Sequence, residues 1–145
     1  MDHLAIMRKD WGLLPKILNG QKKIESRWGV NRCAPWGKVK VGDMIYFKNS
    51  GEPVTVVTEV SKVLEFENLD KTKVREIFEK YGGDGGISVG NFGNMIKWAE
   101  RKKYCTLIYL ENSKKIKPFK INKKGFGASA AWITVNKIGS IKTTL

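Results

Sequence analysis

Hydrophobic positions along the chain change period from segment to segment, and the changes mark its elements. Residues 3–7 read as a short strand. Next, Trp11, Leu13, Leu14, Ile17 and Leu18 recur at the spacing of one helical face, with Asp10 placed as N-cap and Pro15 in the first turns, where a missing N–H is tolerated. Gly20 suits a left-handed helix stop, because it closes the last turn without a Cβ clash. Residues 22–28 are extended, and 30–40 read as a loop carrying Arg32, Cys33, Pro35, Trp36 and Gly37. A turn at Val41, Gly42 and Asp43 leads into strand residues 44–47. Asn49, Ser50 and Gly51 turn the chain into the β-branched run 53–60, expected to pair with 44–47.

The strongest helical pattern is 70–81, with Val74, Ile77, Phe78 and Tyr81 on one face and Glu76 four residues before Lys80. The glycine-rich stretch from Gly82 to Gly86 ends it and reads as a hinge or lid. It lacks the lysine and the strand-to-helix setting of a phosphate-cradling loop. A second helix is predicted over 92–102, with Met95, Ile96 and Trp98 as core candidates. Strands follow at 104–110, 119–121 and 130–135. No repeat or linker interrupts the chain, so 1–145 reads as a single domain, an α+β arrangement of about six strands in a mixed sheet with inserted helices.

Composition narrows the class. The chain has 145 residues, 41% hydrophobic, with five Trp, six Phe and four Tyr, which is globular rather than disordered. No apolar run approaches the roughly 18–20 residues that a membrane span requires. The two cysteines, Cys33 and Cys105, supply neither a disulfide framework nor a zinc set. The expectation is a soluble, cytoplasmic monomer with no cofactor, no metal and no membrane partner. Net charge is +13 and uneven: residues 1–70 hold eleven Lys/Arg against nine Asp/Glu, the remainder sixteen against five, and no acidic side chain follows Glu111. Such an excess attracts polyanions by counterion release.

The densest chemistry lies in Gly20-Gln21-Lys22-Lys23-Ile24-Glu25-Ser26-Arg27-Trp28. Strand alternation would put Glu25 and Arg27 on one face and Lys22, Ile24, Ser26 and Trp28 on the other. Either a bulge near Gly20 turns Lys22 inward, or the lysine and the Glu–Arg pair do different jobs; the bulge is preferred. The pattern Gly20-x-Lys22-x-x-Glu25-x-Arg27, after a short helix and before Val41-Gly42-Asp43-x-Ile45-x-Phe47, resembles the signature of the ASCH domain, of the PUA-like superfamily. The resemblance covers residues 3–66. It implies a PUA-like small mixed β-barrel with flanking and inserted helices, the insert at about 69–102, and a cleft near the motif suited to RNA or a modified nucleoside.

In chemical terms, Lys22 offers a point charge or, if desolvated, a base; Glu25 accepts from a base amine or holds Arg27; and Arg27 offers a planar fork for phosphate. Trp28, Trp36 and Trp11 lie near these charges, although any one Trp alone reads first as core. Two functions follow. The first is nucleic-acid binding, with Lys22, Glu25, Arg27, Trp28, Arg32 and Trp36 recognising a nucleotide and the basic C-terminal region, including Lys123 and Lys124, contacting the backbone. The second is a hydrolase. Some ASCH proteins resemble amidohydrolases acting on acylated cytidine, and ribonuclease activity is also proposed within the family. Here catalysis would rest on Lys22 and Glu25, with Glu76 or Glu79 as a second acid. Glu25 stands where those amidohydrolases carry a threonine, so that mechanism does not transfer intact. His3, the only histidine, would have to serve any Cys–His or Ser–His pair. Binding is the first choice.

Overall fold

A computed structural model describes residues 1–86, 92–127 and 129–143. Its strands are β1 (Asp2–Met7), β2 (Ile24–Gly29), β3 (Met44–Asn49), β4 (Val54–Phe66), β5 (Tyr104–Ile121), β6 (Trp132–Val135) and β7 (Lys142–Thr143); its α-helices are α1 (Leu13–Leu18), α2 (Lys71–Tyr81) and α3 (Phe92–Ala99). The sheet runs β2-β5-β4-β3-β1-β6, with β7 on the far end of β5. β1 and β3 are parallel and the other pairs antiparallel, so the sheet is mixed, as the pattern predicted.

The long β4–β5 pair explains the curl. Its register shifts three times, between Val54 and Val56, Val57 and Glu59, and Val60 and Lys62. Each bulge bends the ladder and increases its twist. The sheet therefore wraps into a half-barrel, with β2 and β6 as its two unjoined edges. Alternation along β3 sorts the core: Ile45 and Phe47 face the interior of the curl with Ala5, Ile17 and Ile108, while Tyr46 faces a second layer with Leu4, Phe119 and Ile133. The helices between β4 and β5 supply a third layer, Val74, Ile77 and Phe78 against Ile24, Leu107 and Cys105. Asp70 caps α2 by accepting from the Lys73 N–H at 2.8 Å.

Several local readings change. The first helix starts at Leu13 after a 3₁₀ turn at Lys9–Trp11, with Gly12 rather than Asp10 at its N-cap, so Asp10 caps nothing and Trp11 and Leu18 are exposed. The strand predicted at 119–121 is the end of β5, an 18-residue strand. Within α3 the buried residue is Ala99, and Trp98 is exposed. Gly90, within the glycine-rich region, lies outside the described residues.

His3 is fully buried. The Trp132 Nε1–H donates to its Nδ1 at 3.2 Å, and an indole N–H can only donate, so Nδ1 accepts and Nε2 carries the proton. Nε2 in turn donates to Asp43 Oδ2 at 2.8 Å. Asp43 also accepts from the Lys40 N–H and the chain's amino group. Burial works to raise the Asp43 carboxyl, but these bonds prevail and hold it below the usual range. His3 therefore ties β1 to the Gly42–Asp43 turn, and neither cysteine is among its partners.

Candidate functional site

The motif lies where the half-barrel fails to close. Gly20 is left-handed (φ +83°) and ends the α1 segment. The N–H groups of Lys23 and Ile24 then both bond the Asp84 carbonyl, at 2.6 and 2.9 Å. Two successive donors on one acceptor mark a bulge. Regular strand begins only at Ile24, so the alternation that would separate Lys22 from Glu25 does not reach back to Lys22.

Lys22 instead folds over the strand start. Its Nζ donates to the carbonyls of Ile24 and Gly85, both at 2.8 Å, and lies 3.3 Å from Glu25 Oε1. Glu25 Oε1 also accepts from the Ser26 N–H at 3.0 Å, and Oε2 accepts from Arg27 Nη2 at 3.3 Å. Lys22 and Glu25 are each 3% exposed. Burial pushes the Lys22 ammonium down from its ordinary value, only partly offset by Glu25. Burial would raise Glu25, but the two flanking cations outweigh it, and the group stays a carboxylate below its usual range.

Arg27 reaches across the gap. From β2 its Nη2 donates to Ile6 O and its Nη1 to Ala131 O, each at 3.3 Å, and its guanidinium lies over the Trp132 ring at 5.2 Å. One side chain thus joins the two edges that backbone pairing leaves open. Beside this seam is a cleft of about 620 Å³, within the usual size of a small-ligand site, roughly 300–1,000 Å³. Lys22, Glu25 and Arg27 form part of its lining, with Ser26 and Trp28. Trp28 packs one face on Phe78 at 5.2 Å.

The segment 84–86 is clamped rather than hinged. Its three consecutive carbonyls receive Lys23 and Ile24 N–H, Lys22 Nζ and Lys16 Nζ in turn. Gly86 has a positive φ, and an added Cβ would stand 3.1 Å from the Lys22 side chain.

Of the residues singled out in the sequence, Lys22, Glu25, Arg27 and Trp28 come together. Arg32 and Trp36 do not line the cleft: both pack on Tyr104, and Arg32 pairs with Glu67 at 3.1 Å. Lys123 and Lys124 also lie outside the lining, Lys123 holding the Ala130 carbonyl at 2.9 Å. Glu76 and Glu79 are exposed on α2 and absent from the cleft, so neither is placed as a second acid. No group of metal-ligating side chains occurs among the described residues.

Of the cleft's exposed aromatics, the sequence set Trp11 near the motif charges but read it first as core, and it read Trp98 as core alone. Trp11 and Trp98, 42% and 47% exposed, both line the cleft, as does Asn94. Arg8 lies over the Trp11 ring at 5.1 Å and Lys102 over Trp98 at 4.9 Å. A signal existed: on a helical wheel Trp98 shares its stripe with Asn94 and Lys102, whereas Ile96 and Ala99 lie elsewhere.

No known sequence family and no curated protein matches the chain. Solved structures do. The ASCH protein of Zymomonas mobilis superposes with a TM-score of 0.67 at 14% identity, over 98% of this chain and 96% of that one. The N-terminal domain of Staphylothermus marinus McrB gives 0.58 at 14% identity, over 96% and 93%. A hypothetical protein, PH0355, gives 0.55 at 21% identity, over 80% of this chain and all of that one. For the first two the likeness runs over nearly the whole length of the chain, and the chain has the fold of the ASCH domain.

Proposed function

We propose that this chain is a nucleic-acid-binding domain that takes a nucleotide in the cleft at the β2 seam. The observation that carries this reading is the pairing of two exposed indoles, Trp11 and Trp98, with a charged floor of Lys22, Glu25 and Arg27 in one cleft. A soluble domain gains little from leaving two tryptophans in solvent, whereas a base stacked on such a ring gains ~1–3 kcal/mol. The cations over both rings suit an anionic partner. Asn94 adds an amide able to donate to and accept from a base edge. The exposed Lys114, Lys115, Lys117 and Lys120 of β5 extend positive charge well beyond the cleft, and Lys123 and Lys124 continue it toward the C-terminus.

The hydrolase reading fares less well on the same geometry. For Lys22 to act as base its ammonium must give up a proton, yet its three donors face two carbonyls and a carboxylate. A neutral amine has two N–H donors and would give up one of these three buried contacts. Glu25, held below its usual range by two cations, is a weak base. The trio is better suited to shaping the cleft than to moving protons.

Tryptophan fluorescence during titration with nucleosides and short RNAs tests the proposal. Binding should quench the emission, and Trp98→Ala should weaken it by about 5- to 150-fold, the equivalent of one stacked base. Affinity that is unchanged in both Trp98→Ala and Trp11→Ala would rule out the cleft as the site.

A further inference from the structure

Beyond the cleft, positive charge gathers at one more point on the same seam. Ile6 lies at the cleft's edge, its carbonyl bonded to Arg27 and its N–H to the Ala131 carbonyl at 3.0 Å. In the β1–β3 register Ile6 stands opposite Lys48, and side chains at paired positions leave the sheet on the same face. On the other flank of β1, Lys123 Nζ donates to Ala130 O, one residue from the carbonyl that takes Arg27 Nη1. Partial burial and then the nearby charge of Lys123 both push the Lys48 ammonium below its ordinary value. Among the described residues none of the ion pairs involves Lys48. Like charges held together in this way repel in the free protein, and a bridging anion relieves the repulsion.

We propose that Lys48 and Lys123 form a phosphate subsite beside Ile6, which holds the backbone of a single-stranded nucleic acid whose base occupies the cleft. This rests on the reading of the cleft as a base site. A single strand is required because a base reaches exposed tryptophans only when free of its own stack. The path runs from the indoles past Arg27, over the Ile6–Ala131 edge, to Lys48 and Lys123, so a nucleoside fills only its first part.

Fluorescence anisotropy with a 5′-labelled single-stranded RNA octamer, repeated over a range of KCl, tests the subsite. In wild type the logarithm of affinity should fall linearly with that of salt. Lys48→Gln and Lys123→Gln should each flatten the slope by about 0.7, the value of one phosphate contact on a single strand. Lys48→Arg should restore it, and Lys71→Gln, a charge-matched change on exposed α2, should leave it alone. Nucleoside quenching should be equal in all these proteins, and a duplex of the same sequence should bind more weakly. Slopes unchanged in both Gln variants, while nucleosides still quench, overturn the subsite and leave the cleft reading standing. Flattened slopes without nucleoside quenching in wild type overturn the link to the cleft. Equal affinity for duplex and single strand overturns the requirement for an unstacked base.

Discussion

Replacing Glu25 by Gln keeps the side chain's shape and removes its charge, which isolates what the carboxylate does. In the folded protein it is the counter-charge for Lys22 at 3.3 Å and Arg27 at 3.3 Å, and it also accepts the Ser26 N–H. Removing one partner of a buried ion pair costs about 3–5 kcal/mol. The lower end applies, because Lys22 keeps the Ile24 and Gly85 carbonyls and Arg27 keeps those of Ile6 and Ala131. A loss of about 3 kcal/mol corresponds to a Tm about 9 °C lower at this chain length, at roughly 3 °C per kcal/mol. Urea unfolding at pH 7 of wild type, Glu25→Gln, Lys22→Met and the double variant gives the coupling directly. If Lys22 is charged when folded, the double variant recovers at least about 1 kcal/mol of the summed single losses. A loss under about 1 kcal/mol for Glu25→Gln, together with no coupling, would refute the picture of a charged, mutually dependent trio.

Three further outcomes follow from the same geometry. Glu25 and Asp43 have folded values below their ordinary 4.5 and 3.8, so their stabilisation is present above those values and is lost as pH falls through the lower folded ones. The urea midpoint should therefore drop as the solution is acidified below about pH 4.5, and more shallowly in Glu25→Gln. His3→Ala should cost about 2–4 kcal/mol in the same assay, since it empties a buried site and orphans Trp132 Nε1; a smaller loss than Trp98→Ala would contradict the role of His3 in tying β1 to the Gly42–Asp43 turn. A thiol reagent should label Cys33 in the native protein and Cys105 only after unfolding, because Cys33 is exposed while Cys105 is buried with its thiol pushed well up. Mass spectrometry of the labelled peptides distinguishes the two.

The elements were readable where one physical pattern ruled. Helix α2 announced itself through Val74, Ile77, Phe78 and Tyr81 at helical spacing, and the β3–β4 pair through Ile45, Phe47 and the β-branched run that follows. Periodicity failed at Trp11 and Trp98, where an apolar residue stands in solvent. It assumes that large apolar side chains are buried, which is the assumption a binding surface breaks. Lys22 was legible as chemistry, and the bulge preferred near Gly20 does turn it inward; what stayed hidden was the acceptor that fixes the bulge, the Asp84 carbonyl far downstream. Arg32 and Trp36 looked like neighbours of the motif because they follow it closely; the loop carries them instead to Tyr104.

Closing the barrel with Arg27 rather than with a ladder has a consequence for how such a site can diversify. A backbone seam would fix the spacing of β2 and β6 at the distance of a hydrogen-bonded pair, about 4.8 Å. A side chain sets that spacing by its length and rotamer. A shorter or longer residue at position 27 would change the aperture beside Trp28 while leaving every strand register as it is. The frame and the width of its opening are therefore separately adjustable, and one codon tunes the second.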